Sequence, residues 1–108
     1  MDDREFQTRA DGALTQLYSR LVAASDDAAF EPDFQAGALS IEFDDPPAKF
    51  VISPNSPVRQ IWVSAHSRSF KLDWDADRNA FVFPETGQTL TELMETAIGQ
   101  QLDEEVTL

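Results

Sequence analysis

Residues 57–66 read PVRQIWVSAH, and the fold turns on whether that run is a strand. Ile61, Val63 and Ala65 alternate with Gln60, Trp62, Ser64 and His66, a period of two that belongs to a strand with one covered face. On that reading Trp62 lies on the polar side. Burying a large apolar side chain is worth about 1.5–3 kcal/mol, so a Trp outside the core is either a contact for a partner or lies flat beneath neighbouring side chains and contributes packing alone.

The same period extends to both sides of this run. Leu39, Ile41 and Phe43 alternate with Ser40, Glu42 and Asp44; DDPP at 44–47 makes a turn; Phe50 and Ile52 follow. Beyond residue 66, Phe70, Leu72 and Trp74 alternate with Lys71 and Asp73, ADRN at 76–79 turns the chain, and Phe81 and Phe83 supply a further strand. Five strands with short connections predict an antiparallel meander, one face covered and one in water. Residues 25–37, SDDAAFEPDFQAG, read as a loop, with Pro32 stopping any helix and room for a short strand near Phe34.

Helical periodicity flanks the meander. Phe6, Ala10, Ala13, Leu14, Leu17 and Leu21 recur at three and four residues over 3–24, and Asp2 with Glu5 offers a capped start. TLTE at 89–92 fits a capping box, and Leu90, Leu93, Met94, Ala97, Ile98 and Leu102 form one stripe behind it. Gly99 costs this second helix about 1 kcal/mol relative to Ala, so its end is expected to fray before the acidic DEEVTL. The sum is an α+β two-layer sandwich. N- and C-terminal helices pack on one face of an antiparallel sheet of about five strands, in a single domain over residues 1–108.

Composition narrows the chemistry. A hydrophobic content of 42% in 108 residues is enough for a core. No run of eighteen apolar residues is present, and MDDREF is acidic, which argues against a membrane span, a secretory signal and a transit peptide. The expectation is a soluble protein acting where it is made, the cytoplasm. With no cysteine there is no disulfide, thiolate nucleophile or zinc-finger site. A net charge of −12 repels nucleic acid and anionic membrane and favours cations or basic protein surfaces as partners. The charge is segregated as well: acids crowd residues 1–45, whereas residues 46–72 carry Lys49, Arg59, Arg68 and Lys71 and no acid.

Conventional sites fail one by one. DWDADRNA from Asp73 imitates half of a calcium loop, but Arg78 stands where Gly is needed and Pro84 where the bidentate Glu belongs, so it reads as a solvated hairpin turn. His66 is the lone imidazole, read as an exposed strand-end residue, and no nucleophile motif or phosphate-cradling Gly-rich loop accompanies it. ELME at 92–95 lacks the His that a dinuclear iron site requires. What remains is a crowd of carboxylates, Asp26, Asp27, Glu31, Asp33, Glu42, Asp44 and Asp45, whose oxygens suit a hard cation held weakly.

EFQTRAD at 5–11, GALSIEF at 37–43, NSPVRQIWVSA at 55–65, SFKLDW at 69–74 and ETGQTLTELM at 85–94, in that order, resemble the frataxin family in its bacterial CyaY-type form. The most specific match is Pro57-x-x-Gln60-Ile61-Trp62. The resemblance implies weak binding of Fe²⁺ and Fe³⁺ on an acidic ridge, no organic cofactor, and docking to the cysteine desulfurase and scaffold of iron–sulfur cluster assembly. It implies an iron donor or regulator, monomeric unless iron drives oligomers; a ferroxidase and an iron-independent acidic interaction module are the alternatives. Onto this sequence the ridge maps to Asp3, Asp11, Asp26, Asp27, Glu31, Asp33, Glu42 and Asp44, and the docking patch to Asn55, Pro57, Arg59, Gln60 and Trp62. One departure stands out. Residues 18–25, YSRLVAAS, carry no carboxylate where family members crowd them in the first helix, so the iron sites are expected to be fewer or shifted toward the loop.

Overall fold

The computed structural model describes residues 1–25, 30–44 and 46–108. Helix α1 spans Asp3–Ser25. Asp2 starts it: its Oδ1 accepts the Glu5 amide at 2.8 Å and its carbonyl accepts the Phe6 amide at 3.0 Å, satisfying donors that the first turn leaves unpaired. Strands β1 (Phe30–Gln35), β2 (Ala38–Asp44), β3 (Pro47–Asn55), β4 (Gln60–Ala65), β5 (Arg68–Asp75), β6 (Ala80–Phe83) and β7 (Gln88–Thr89) follow, with one 3-10 turn at Ser56–Val58, and α2 (Leu90–Leu102) ends the order.

Among the described residues the sheet has seven strands in sequence order, every neighbouring pair antiparallel. The five expected strands are all present, and the meander gains one at each end. At the front, residues 30–35 of the segment read as a loop pair with β2, Phe30 opposite Phe43 through Gln35 opposite Ala38. Its alternation of Phe30, Pro32 and Phe34 with Glu31, Asp33 and Gln35 is a strand pattern, and Pro32 is tolerated because an edge strand need not donate on its free side. At the back, Gln88 and Thr89 pair with Phe83 and Val82, so the residue that caps α2 also closes the sheet.

Both helices cover the face that carries Leu39, Ile41, Phe50, Ile52, Ile61, Val63 and Leu72. From α1 this core takes Phe6, Ala10, Leu14, Leu17 and Leu21, and from α2 it takes Leu90, Leu93, Met94, Ala97 and Ile98. Phe6 meets Phe81 edge-on at 6.0 Å, pinning the start of α1 over β6. No polar or charged residue is buried among the described residues, so the interior between the layers is apolar and polar bonds between them lie at its margin.

The end of α2 is closed by a capping turn and a close approach of the returning chain. Asp103 takes a left-handed conformation (φ 55°) and its amide donates to the Gly99 carbonyl, as does the Glu104 amide at 3.1 Å. The returning chain passes so near that a Cβ at residue 99 would stand 2.9 Å from the Glu104 carbonyl oxygen, which explains the helical glycine. Val106 and Leu108 then pack against the core, with the Leu108 amide donating to Glu95 Oε2 at 2.8 Å and Arg20 donating to the Leu108 carbonyl at 3.2 Å.

His66 is exposed at the strand end, as expected, but does not share the Trp62 face. Strand β4 stops at Ala65, and His66 and Ser67 both have positive φ (54° and 59°), the two-residue hairpin geometry that matches strand twist. The reversal swings the His66 ring off the Trp62 face toward the helices, 5.1 Å from the Phe50 ring and with Nε2 2.9 Å from the Ala97 carbonyl.

Candidate functional site: the open face of the sheet

Strand parity sorts the polar residues. With Leu39, Ile41 and Phe43 under the helices, Ser40, Glu42 and Asp44 point the opposite way, and the register carries that face across to Glu31, Asp33 and Gln35 on β1. Glu31 stands directly opposite Glu42, and Asp33 opposite Ser40, so like charges face each other at the sheet edge. Directly opposed side chains have Cβ atoms about 4.5–5.5 Å apart, and paired like charges there are destabilising. The Lys49 ammonium relieves this only slightly, 4.0 Å from Glu42 Oε1 in a pair more than half exposed.

The helical members of the expected ridge sit elsewhere. Asp3 and Asp11 are exposed on α1, and Asp3 Oδ1 already receives Arg59 Nη2 at 3.0 Å. Asp26 and Asp27 lie outside the described residues. Thus Glu31, Asp33, Glu42 and Asp44 share the open face of the β1–β2 edge, while Asp11 and the Arg59-paired Asp3 belong to the helical layer. Among the described residues no three of His, Cys, Asp or Glu converge on a common point where they would enclose a metal ion. The facing pair can still attract one: a divalent ion 4 Å from each of two carboxylates in water gains about 4 kcal/mol before dehydration, so the pair alone binds no tighter than a Kd of about 1 mM. The edge offers oxygen ligands alone, exposed and incompletely enclosed, a donor set suited to hard cations.

The expected docking residues are brought together. Asn55 ends β3 opposite Gln60, and Ser53 faces Trp62. Pro57 sits in the 3-10 turn, and Arg59 leaves that turn in a left-handed conformation (φ 51°). Two bonds tie the segment to the start of α1: Arg59 to Asp3, and Gln7 Nε2 to Ser56 Oγ. Trp62 is 37% exposed, against a buried Ile61 and Val63 on either side. Its Nε1–H donates to Gln60 Oε1 at 3.0 Å, and Lys71 Nζ lies 4.9 Å from the indole centroid.

Lys71 and Asp73 were not among the sequence candidates, yet they complete the patch. Lys71 is the cross-strand partner of Trp62 and Asp73 of Gln60, whose Nε2 donates to Asp73 Oδ1 at 2.9 Å. The signal was present: with His66 and Ser67 as a two-residue loop, Trp62 must face Lys71.

Among the described residues one titratable group is clearly perturbed. Glu92 is held below the usual glutamate range, first by the Thr89 amide, which donates to its Oε1 at 2.9 Å, then by the Thr89 side chain, with the Arg78 guanidinium adding a smaller effect. These contacts belong to the capping box of α2, so the shift marks a structural carboxylate.

The fold has known counterparts. The frataxin of Psychromonas ingrahamii, a CyaY-family protein, superimposes with a TM-score of 0.78 at 24% identity, over 99% of this chain and 97% of that one, a likeness of fold. The iron–sulfur cluster assembly protein CyaY of Thioalkalivibrio sulfidiphilus is 28% identical over 108 residues, the whole of both chains. The family described as Frataxin-like domain matches residues 1–104, a span that takes in both helices, the whole sheet and the Trp62 patch. The chain belongs to the frataxin-like family.

Proposed function

We propose that this protein acts in iron–sulfur cluster assembly, carrying iron loosely on the carboxylates of its β1–β2 edge and α1 and docking a cysteine desulfurase and its scaffold through the sheet face around Trp62. The observation that carries this reading is the 37% exposure of Trp62 on the open face, in a chain of the frataxin-like family. Trp is among the residue types enriched at interface hot spots, and Trp62 lies on the same open face as Glu31, Asp33, Glu42 and Asp44.

The two parts work together chemically. Exposed carboxylates hold Fe²⁺ weakly, whereas thiolates are softer ligands that hold it better, so a partner rich in cysteine sulfur would draw the ion away once docking brings the two near. The candidates are Asp3, Asp11, Asp26, Asp27, Glu31, Asp33, Glu42 and Asp44 for iron, and Asn55, Pro57, Arg59, Gln60 and Trp62 for the partner. The test is binding of a purified desulfurase to the wild type and to Trp62→Ala. Truncating a hot-spot Trp should cost at least 2 kcal/mol of affinity, about thirtyfold, while the melting temperature stays within a few degrees. Equal affinity for both proteins rules the docking role out.

A second reading, an acidic interaction module that needs no iron, is favoured by one observation: among the described residues no three carboxylates converge on one point. Partner binding that weakens steeply with salt and ignores Fe²⁺ selects it.

A further inference from the structure

The donors and acceptors beneath Trp62 form a chain with only one workable polarity. An indole N–H can only donate, and an ionised carboxylate can only accept. Gln60 lies between them, Oε1 toward Trp62 Nε1 at 3.0 Å and Nε2 toward Asp73 Oδ1 at 2.9 Å. With the amide reversed, an N–H would face the indole N–H and a carbonyl would face a carboxylate, so both contacts become repulsive. Asp73 therefore selects one of the two Gln60 amide orientations, and that orientation selects where the indole N–H must point. The strands make the relay short: Gln60 and Asp73 are direct cross-strand partners, and Trp62 is the next residue on the same face of β4. Lys71, the cross-strand partner of Trp62, sits against the ring at 4.9 Å and restricts its tilt.

We propose that Asp73 is a positioning residue for the docking surface, holding the Trp62 indole in a single orientation through the Gln60 amide before any partner arrives. The consequence for recognition rests on the docking role argued above. A half-exposed Trp that must be ordered on binding loses affinity to that ordering, and a pre-oriented one does not. Because the indole N–H is used internally, the partner meets an apolar ring and not a hydrogen-bond donor.

The test begins with the free protein, where no partner is needed. The chain has two Trp residues, so two indole N–H signals report separately, and Trp74, packed edge-on against Phe81 at 5.1 Å, is the internal reference. In Asp73→Ala the order parameter of the Trp62 indole N–H should fall from the rigid range near about 0.85 to below about 0.6, with Trp74 unchanged. Asp73→Asn keeps an acceptor oxygen while removing the charge, and should hold the indole as the wild type does. Desulfurase affinity should follow the same order, about fivefold weaker for the Ala variant and near wild type for the Asn variant. An indole in Asp73→Ala that stays as ordered as the wild type overturns the proposal, whatever the partner does. So does an Asn variant that behaves like the Ala variant, since charge and not hydrogen-bond geometry would then be at work. A loosened indole with undiminished affinity overturns the link between order at Trp62 and docking. Wild-type protein indifferent to desulfurase would instead sink the docking role and leave the free-protein result to stand by itself.

Discussion

Replacing Gly99 by Ala sets two effects of opposite sign against each other, and the structure says which is larger. In an ordinary helix interior the change stabilises by about 1 kcal/mol. Here the new Cβ falls 2.9 Å from the Glu104 carbonyl oxygen, a backbone atom that cannot rotate aside. Relief requires the returning chain to back away. Doing so strains the Asp103 and Glu104 amide bonds to the Gly99 carbonyl, each worth about 1 kcal/mol net, and loosens Val106 and Leu108 on the core, at about 1 kcal/mol for their partial burial together. The expected balance is a destabilisation of about 1–2 kcal/mol, seen as a melting temperature lower by about 5–10 °C. The control reverses the sign: in protein ending at Leu102 the obstacle is gone, and Gly99→Ala should stabilise by about 1 kcal/mol. Urea and thermal melts of the four proteins complete the cycle. A Gly99→Ala full-length protein more stable than wild type would refute the reasoning, because the close approach would then exert no constraint.

Glu92 offers a pH test. Its carboxyl is held below the usual value of 4.5 in the folded state, so the folded protein binds that proton less readily than the unfolded chain does. The stabilisation is therefore complete above the ordinary glutamate range and disappears as pH falls through the lowered folded value. Glu92→Gln should flatten this part of the acid limb of the stability profile in urea melts taken between neutral pH and pH 3; an unchanged acid limb contradicts the assignment. Self-repulsion of the −12 surface predicts that salt stabilises. The melting temperature should rise by about 4–8 °C, equivalent to about 1 kcal/mol, and a divalent salt should do more than a monovalent one at equal ionic strength. Identical melts in both salts would show that the facing carboxylates are not under mutual strain.

Strands β2 to β6 and both helices were legible because each buries one face, so period two or 3.6 is written directly in Leu39, Ile41 and Phe43 or in Leu14, Leu17 and Leu21. Strand β1 was harder to see. Its alternation around Phe30 and Phe34 is interrupted by Pro32, which is a strand breaker everywhere except at an edge, and edge position is a tertiary fact. Strand β7 is two residues long, too short for any period to show. The capping box at Thr89 and Glu92 appeared as expected because it is local chemistry. His66 was misplaced by one assumption, that alternation continues to the last residue of an apolar run, when positive φ at His66 and Ser67 ends it. Gly99 was read through propensity alone. Its reason lies in the contact with Glu104, five residues along the chain and beyond the helix end.

The site was legible in part for the same reasons. Parity placed Gln60 and Trp62 on the open face, but their neighbours Lys71 and Asp73 come from register, which needs the turn. The acids crowd residues 26–45 in the sequence, but which of the described ones share the open sheet face follows only from the register of β1 on β2. Asp3 looked like a free first-turn carboxylate, and only the fold brings Arg59 to it.

The most direct measurement is an anaerobic Fe²⁺ titration followed by amide resonances along the whole chain. The account predicts that signals of residues 31–44 broaden or shift first, at concentrations of about 1 mM or above for a two-carboxylate site, and that Glu31→Gln with Glu42→Gln abolishes the effect there. The acids at Asp75 and Asp77 and those at Asp103, Glu104 and Glu105 serve as internal controls that should respond later. A titration in which residues 31–44 stay silent, or respond no earlier than these controls, would contradict it.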